Sequence, residues 1–347
     1  MIKRTVLLIY TGGTIGMVKD KDTGTLVPFD FDDLLLRMPE LSHLDCDIET
    51  FTLKEPIDSS NIQPTDWIEL GEKLEEVYDD YDGFVILHGT DTMSYTASAL
   101  SFIIENLKKP VIFTGSQLPI SDFRTDAKEN LITAIQIATD YDNKGKAIIQ
   151  EVGLYFENKL YRGNRTTKIN SEHFEAFASL NFPALAESGV HLTYNDHLFP
   201  ETTDKSFKVH KKLNQNVAII RLFPGLTESI LDAIINIDGL KGLILETYGS
   251  GNAPNKEWFV NSIGRAVKNG IIVVNVTQCP AGMVDHNLYE VGLQMRKLGV
   301  VGGRDMTTEA AITKLMFVLG NETYNKSPEK WLRINLRGEM KDRKEKF

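Results

Sequence analysis

A chain of 347 residues is long for one hydrophobic core, so two domains are expected. Its 42% hydrophobic and 25% charged residues are ordinary for a soluble globular enzyme, and no stretch approaches the ~20 apolar residues of a membrane span. The formal net charge of -10 comes with no long basic tract, which argues against nucleic acid as a partner because an acidic surface repels phosphate.

Cys46 and Cys279 have neither metal-ligand spacing nor a disulfide-framework pattern, so reduced thiols in a cytoplasmic protein are expected. The apolar run Val6 to Tyr10 is too short for the core of a signal peptide, and no small-residue cleavage site follows it.

Val6 to Tyr10 reads as a buried strand that ends in the tight turn Thr11-Gly12-Gly13-Thr14-Ile15-Gly16. Met17 to Phe31 is polar and carries Gly24 and Pro28, which fits a mobile hairpin or loop over the end of that strand. A helix is expected from Asp32 to Met38, stopped by Pro39. Ile48 to Leu53 is a second strand, leading into the polar loop Pro56 to Asn61. Thr65 starts a helix in which Trp67, Leu70, Leu74 and Tyr78 share one face.

Gly83 to Leu87 is a third strand, ending in His88-Gly89-Thr90-Asp91-Thr92. The next helix carries Ala97, Leu100, Ile104 and Leu107 on one face and stops before Pro110. Val111 to Phe113 is a fourth strand, ending in Thr114-Gly115-Ser116-Gln117, and Glu129 to Thr139 is a helix. Ala147 to Phe156 is strand-like and turns at Asn158 and Lys159 into a second strand around Leu160 and Tyr161. Arg162 to Lys168 follows that hairpin.

Strands that alternate with helices imply βαβ units and a mostly parallel sheet. The polar stretch with Pro200, Thr202 and Thr203 reads as a linker. The expected division is an α/β domain over residues 1–194 carrying the site, a linker over 195–213, and a smaller α/β domain over 214–347. The second domain repeats the alternation: strands at Val217–Leu222, Leu243–Glu246 and Ile271–Val276, and helices near Thr227–Asn236 and Asn255–Asn269. Thr307 or Thr308 caps a further helix with Glu309 in its first turn, and Lys341 to Phe347 is a charged tail.

If the first four strands share a sheet, hydroxyls and two carboxylates gather along one edge of it. Turn chemistry explains Gly and Ser there better than Thr, which is β-branched. A threonine hydroxyl needs a base to become a nucleophile, and His88, Asp91 and Lys168 are the candidates. Each has a structural alternative: His88 as a hydrogen-bonding brace, Asp91 as a helix N-cap, Lys168 as a solvated surface charge. The glycine turn is neither G-x-G-x-x-G nor a phosphate loop, so a nucleotide site is disfavoured.

The segments Thr11 to Gly16 and His88 to Met93 resemble the two signature motifs of bacterial-type L-asparaginases. Leu87 to Gln117, Leu160 to Lys168 and Tyr248 to Pro254 resemble the cytoplasmic (type I) branch, and the similarity runs on to Arg337-Gly338-Glu339. The resemblance implies a two-domain α/β fold and hydrolysis of L-asparagine to L-aspartate and ammonia, without metal or cofactor. It implies Thr14 as the nucleophile that becomes a β-aspartyl ester, and Thr90, Asp91 and Lys168 as a set that activates a hydroxyl or water. Asp58, Ser59 and Ser60 would hold the substrate's α-carboxylate and α-amino group, with Thr90 and Asp91 also on the substrate and backbone N–H groups near Gly89 and Thr90 as oxyanion donors. It further implies a homodimer or homotetramer, with Asn252 reaching a neighbour's site.

The chain departs from that pattern twice. The family's lid carries a tyrosine that helps activate the nucleophile, whereas Met17 to Phe31 has none, with Thr25 or Leu26 in its place. A regulatory asparagine pocket in some type I enzymes uses an arginine where this chain has Glu246, although Thr277 and Cys279 match the rest. Two rival readings are an asparaginase-like, ammonia-generating subunit of a tRNA-dependent amidotransferase and a non-catalytic amino-acid-binding protein. The first is disfavoured by the acidic charge and by a motif that begins at Thr11 with no room for an extension before it, the second by the intact Thr14, Thr90, Asp91 and Lys168 set.

Overall fold

Val6 to Tyr10 is apolar on both faces and buried along its whole length, as a central strand of a parallel sheet requires. The computed structural model describes residues 3–19, 26–28, 38–53, 55–201 and 203–342. Except for Met38, the helix expected over Asp32 to Met38 lies outside these residues, as do Thr25 and the end of the charged tail. The chain divides into two units, Met1–His210 and Lys211–Phe347.

In the first unit, β1 (Arg4–Tyr10), β2 (Cys46–Thr52), β3 (Gly83–Leu87), β4 (Val111–Thr114), β5 (Val152–Phe156), β6 (Lys159–Arg162), β7 (Ala186–Ser188) and β8 (Leu192–Tyr194) form one sheet. Its order is β8-β7-β6-β5-β4-β3-β1-β2. Strands β1 to β5 are parallel, and β6, β7 and β8 are added antiparallel.

The connecting helices are α1 (Pro64–Val77), α2 (Met93–Ile103) and α3 (Ala127–Thr139). Gln63 and Asp66 form a reciprocal capping box at the start of α1, with Pro64 in its first turn. Trp67, Leu70 and Leu74 are buried, as their spacing predicts. On the α3 side of the sheet, Val6, Leu8, Tyr10, Val85 and Leu87 form one core with Leu131, Ala134 and Ile135.

Helix α2 stops at Ile103, so Ile104 and Leu107 do not extend its apolar face as expected from the sequence. Ile104–Glu105 is instead a short strand paired with Lys208–Val209, and Asn106 follows with φ 62°. Adjacent β-branched Ile103 and Ile104 are as content in extended backbone, and the ladder with 208–209 decides it. The expected strand from Ala147 begins only at Val152, and Ala147 forms an isolated bridge with Tyr141. Met17–Lys19 and Leu26–Pro28 pair as an antiparallel hairpin.

The register aligns Tyr10 with Thr52 and with Leu87, and Leu87 with Thr114, so the four carboxyl ends lie level. The chain leaves β1 toward β2 and returns past it to β3. The strand order 2-1-3-4-5 therefore reverses between β1 and β3, and that reversal opens a crevice outside the strand ends.

In the second unit, β9 (Val217–Arg221), β10 (Gly242–Thr247), β11 (Ile272–Thr277) and β12 (Val301–Gly302) form a parallel sheet in that order. Its longer helices are α4 (Glu228–Ile235), α5 (Glu257–Lys268), α6 (Glu290–Leu298) and α7 (Thr308–Gly320). The cap of α7 is Thr307, whose Oγ1 accepts from Ala310 N at 3.1 Å. Within this unit Lys314 and Glu339, both fully buried, form an ion pair of 2.6 Å that ties the last described segment to α7.

Candidate active site

Three loops meet in the crevice. The turn after β1 places Gly12 and Gly13 at φ 131° and 93°, in the region only glycine occupies easily. A Cβ on Gly12 would collide with the Ile57 carbonyl, and one on Gly13 would lie 2.5 Å from Gly89 N. A Cβ on Gly89 would lie 2.5 Å from Ser59 Oγ. Ile57 N donates to Thr11 O at 2.8 Å and Thr11 N to Leu87 O at 3.0 Å, so backbone bonds hold the loops after β1, β2 and β3 together. The glycines are what let them close.

The hydroxyls gathered there fall into two groups. Those of Thr11, Thr92, Thr114 and Ser116 donate to the carbonyls of Leu87, Ser59, Tyr155 and Leu118 at 2.9, 2.6, 2.9 and 2.5 Å, and so serve the scaffold. Thr14 and Thr90 are spared that work. Thr14 opens a 3-10 turn, Thr14–Gly16, and is partly exposed; among the described residues no hydrogen bond engages its hydroxyl.

Lys168 ends a two-residue strand paired with Phe177–Ala178. Its ammonium donates to Thr90 Oγ1 at 2.9 Å and to Asp91 Oδ1 at 2.7 Å. The lysine side chain is 18% exposed and that of Asp91 67%, so Lys168 is a half-buried group at the rim and not a fully solvated surface charge. Asp91 is not the helix cap either: the N-cap of α2 is Thr92, which makes no side-chain cap bond.

Asp58, Ser59 and Ser60 occupy the loop after β2. Asp58 caps the 3-10 turn Ser59–Asn61, its Oδ1 accepting from Ser60 N at 3.0 Å. Ser59 is buried against Gly89, and Asp58 and Ser60 are exposed. Two exposed carboxylates, Asp58 and Asp91, and one ammonium, Lys168, therefore lie on or against the loops that carry Thr14 and Thr90. Such an arrangement can grip a small zwitterion by its charged ends while a hydroxyl faces its side chain.

His88 is a brace. It is fully buried, Nδ1 donates to Gly89 O at 2.8 Å, and burial pushes its pKa down to about 4. Tyr10 lies beneath the turn, its hydroxyl donating to Gly13 O at 3.3 Å. Burial pushes it up to about 12, which keeps it protonated and unsuited to act as a base. Gln117 has no role in the sequence reading, yet its side chain accepts from Thr90 Oγ1 at 3.3 Å. The only signal for it is its place directly after the strand end Thr114-Gly115-Ser116.

Among the described residues no group of three or more His, Cys, Asp or Glu side chains is placed to hold a metal ion. In the second unit Glu246 is buried and accepts from Thr308 Oγ1 at 2.5 Å, with Arg221 at 3.7 Å. Cys279 N donates to Thr277 Oγ1 at 3.0 Å, and Asn252 caps its own turn by accepting from Ala253 N at 3.1 Å.

Residues 5–199 match the family described as Asparaginase, N-terminal, and residues 216–332 match the Glutaminase/Asparaginase C-terminal domain. The chain is 42% identical to L-asparaginase 1 of Escherichia coli (strain K12), over 98% of its own length and 99% of that protein. It is 32% identical to one of the subunits of the glutamyl-tRNA(Gln) amidotransferase of Pyrococcus abyssi, over 96% of its own length and 76% of that chain. The crystal structure of L-asparaginase I from Vibrio cholerae superposes with a TM-score of 0.88 at 38% identity, over 98% of this chain and 99% of that one.

Proposed function

The chain belongs to the asparaginase family, and we infer that it is an amidohydrolase that converts L-asparagine to L-aspartate and ammonia. The observation that carries the site assignment is the ammonium of Lys168 bridging Thr90 and Asp91, on the residues directly after a glycine that touches the Thr14 turn. The reading as an amidotransferase component is supported by a lower identity over a smaller share of the relative than the asparaginase reading.

In this proposal Asp58, Ser59, Ser60, Thr90 and Asp91 fix the amino acid's charged ends. Thr14 Oγ1 then adds to the side-chain amide carbon, and its proton passes to the departing nitrogen, so that ammonia leaves and a β-aspartyl ester remains. Backbone N–H groups near Gly89 and Thr90 stabilise the oxyanion. A water, deprotonated through Thr90 and Lys168, adds to the ester carbon; the Thr14 oxygen leaves with a proton and aspartate is released. Tyr10 does not replace the missing lid tyrosine as a base, being buried and protonated. The base role in both halves is assigned to Thr90 with Lys168 acting as the free amine, whose lone pair can take the Thr90 proton.

Two free cysteines support a cytoplasmic location. No described helix is long and apolar enough to cross a membrane. Assembly as a homodimer or homotetramer is part of the same proposal and is read by light scattering. Ammonia release from asparagine and from glutamine by the purified protein tests the activity. No ammonia from asparagine overturns it.

A further inference from the structure

The loop after β4 reaches the site through one side chain that the mechanism above does not use. We propose that Gln117 is a positioning residue that fixes the direction of the Thr90 hydroxyl and thereby the geometry of the Thr90 and Lys168 pair. The inference rests on the reading of Thr90 and Lys168 given above.

Thr90 Oγ1 has one proton and two lone pairs, while a lysine ammonium can only donate. Lys168 Nζ, at 2.9 Å, therefore takes a lone pair, and the threonine proton must point elsewhere. It points to Gln117 Oε1, at 3.3 Å. The amide cannot turn over to meet it with its nitrogen, because Nε2 donates to His173 O at 3.0 Å and a flip would set two acceptors against each other.

The backbone of Gln117 is fixed as well. Its N–H donates to the buried Asp126 carboxylate at 2.9 Å, Leu118 N donates to the same group at 3.1 Å, and Asn130 Nδ2 donates to Gly115 O at 3.0 Å. Gln117 is thus held at both ends by α3 and by the loop carrying His173. While Lys168 is an ammonium the Thr90 proton rests on Gln117 and the second lone pair has one direction left; when Lys168 acts as the free amine that proton turns to it, and Gln117 keeps the hydroxyl placed between the two.

Steady-state kinetics of Gln117→Met, alone and combined with Thr90→Val, test this. Methionine is of similar length and accepts no such bond, so kcat falls about tenfold while KM stays within twofold, the loss of about one hydrogen bond in the transition state. In the Thr90→Val background the same change costs nothing further, because the hydroxyl that Gln117 orients is gone. A side chain that only fills space leaves kcat unchanged in Gln117→Met. Wild-type kcat in Gln117→Met, or a further loss of about tenfold when it is added to Thr90→Val, overturns the proposal. Thr90→Val, measured alongside, separates the layers: wild-type kcat there means that the reading of Thr90 itself has failed.

Discussion

Gly13 and Gly89 meet backbone to backbone: a Cβ on Gly13 would lie 2.5 Å from Gly89 N and the same distance from its Cα. The residues that follow them are Thr14 and Thr90. The spacing of the two threonines is therefore set where two residues without side chains touch, and it cannot be kept if Gly13 gains one. Gly13→Ala also places a side chain at φ 93°, a conformation that strains L-residues. A cost of about 1–3 kcal/mol and a fall in kcat on the order of a hundredfold are expected. Denaturant midpoints and asparagine turnover check it, and normal turnover in Gly13→Ala would show that the loops need not touch.

Thr14→Ala removes the oxygen proposed to attack without disturbing a single hydrogen bond of the described scaffold. Turnover is expected to fall by at least about a thousandfold while the thermal midpoint is unchanged. Retention of wild-type kcat would move the nucleophile to another residue, with Thr90 the next to test.

Lys168→Met takes away the group that bridges Thr90 and Asp91. If its work is proton transfer, kcat drops about 100-fold or more and KM changes by no more than a few-fold. A rise in KM alone, with kcat intact, would make Lys168 a substrate ligand and not part of the base system.

His88 sets a pH dependence of stability. Its folded pKa of about 4 lies below the ordinary histidine value, so the unfolded chain binds more protons between about 4 and 6.5. The stability is fully present above pH 6.5 and is lost as pH falls toward 4, by on the order of 3 kcal/mol at full protonation. Buried His286, also lowered to about 4 by burial, acts in the same direction in the second unit. Urea melts between pH 7 and 4.5 should slope for the wild type and slope less for His88→Gln. Equal slopes would remove His88 from the acid sensitivity.

Lys314 and Glu339 are buried in the second unit with no exposed surface on either side chain. Lys314→Met strands a carboxylate that also accepts from Leu336 N and Arg337 N, at an expected cost of about 3–5 kcal/mol. Lys314→Met combined with Glu339→Gln should recover part of that loss. A single variant as stable as wild type by urea unfolding would mean the charges are not mutually required.

The strand-and-turn motifs are legible in the sequence because their chemistry is local. An apolar run closed by glycines announces a buried strand with a tight exit, and this holds at Tyr10 and at Leu87. The fold class, the helix at Trp67 to Leu74 and a cap at Thr307 or Thr308 follow from period and capping in the same way, and the structure chooses Thr307. Helix α6, β12 and the antiparallel strands β7 and β8 leave no such mark, because short weakly apolar segments owe their form to the neighbours they pair with. Ile104 reads as a helix-face residue for the same reason: only its partner strand at 208–209, a hundred residues on, says otherwise.

What the sequence by itself determined is which residue types arrive at the strand ends. What only the tertiary structure decided is which of them are free to act. Thr11, Thr92, Thr114 and Ser116 look equivalent to Thr14 and Thr90 in one dimension, but their hydroxyls are spent on backbone carbonyls. Asp91 could have capped a helix, and Lys168, 77 residues away, could have sat in solvent. Long-range hydrogen bonds between loops fix these contacts, and no local pattern encodes a partner so distant along the chain.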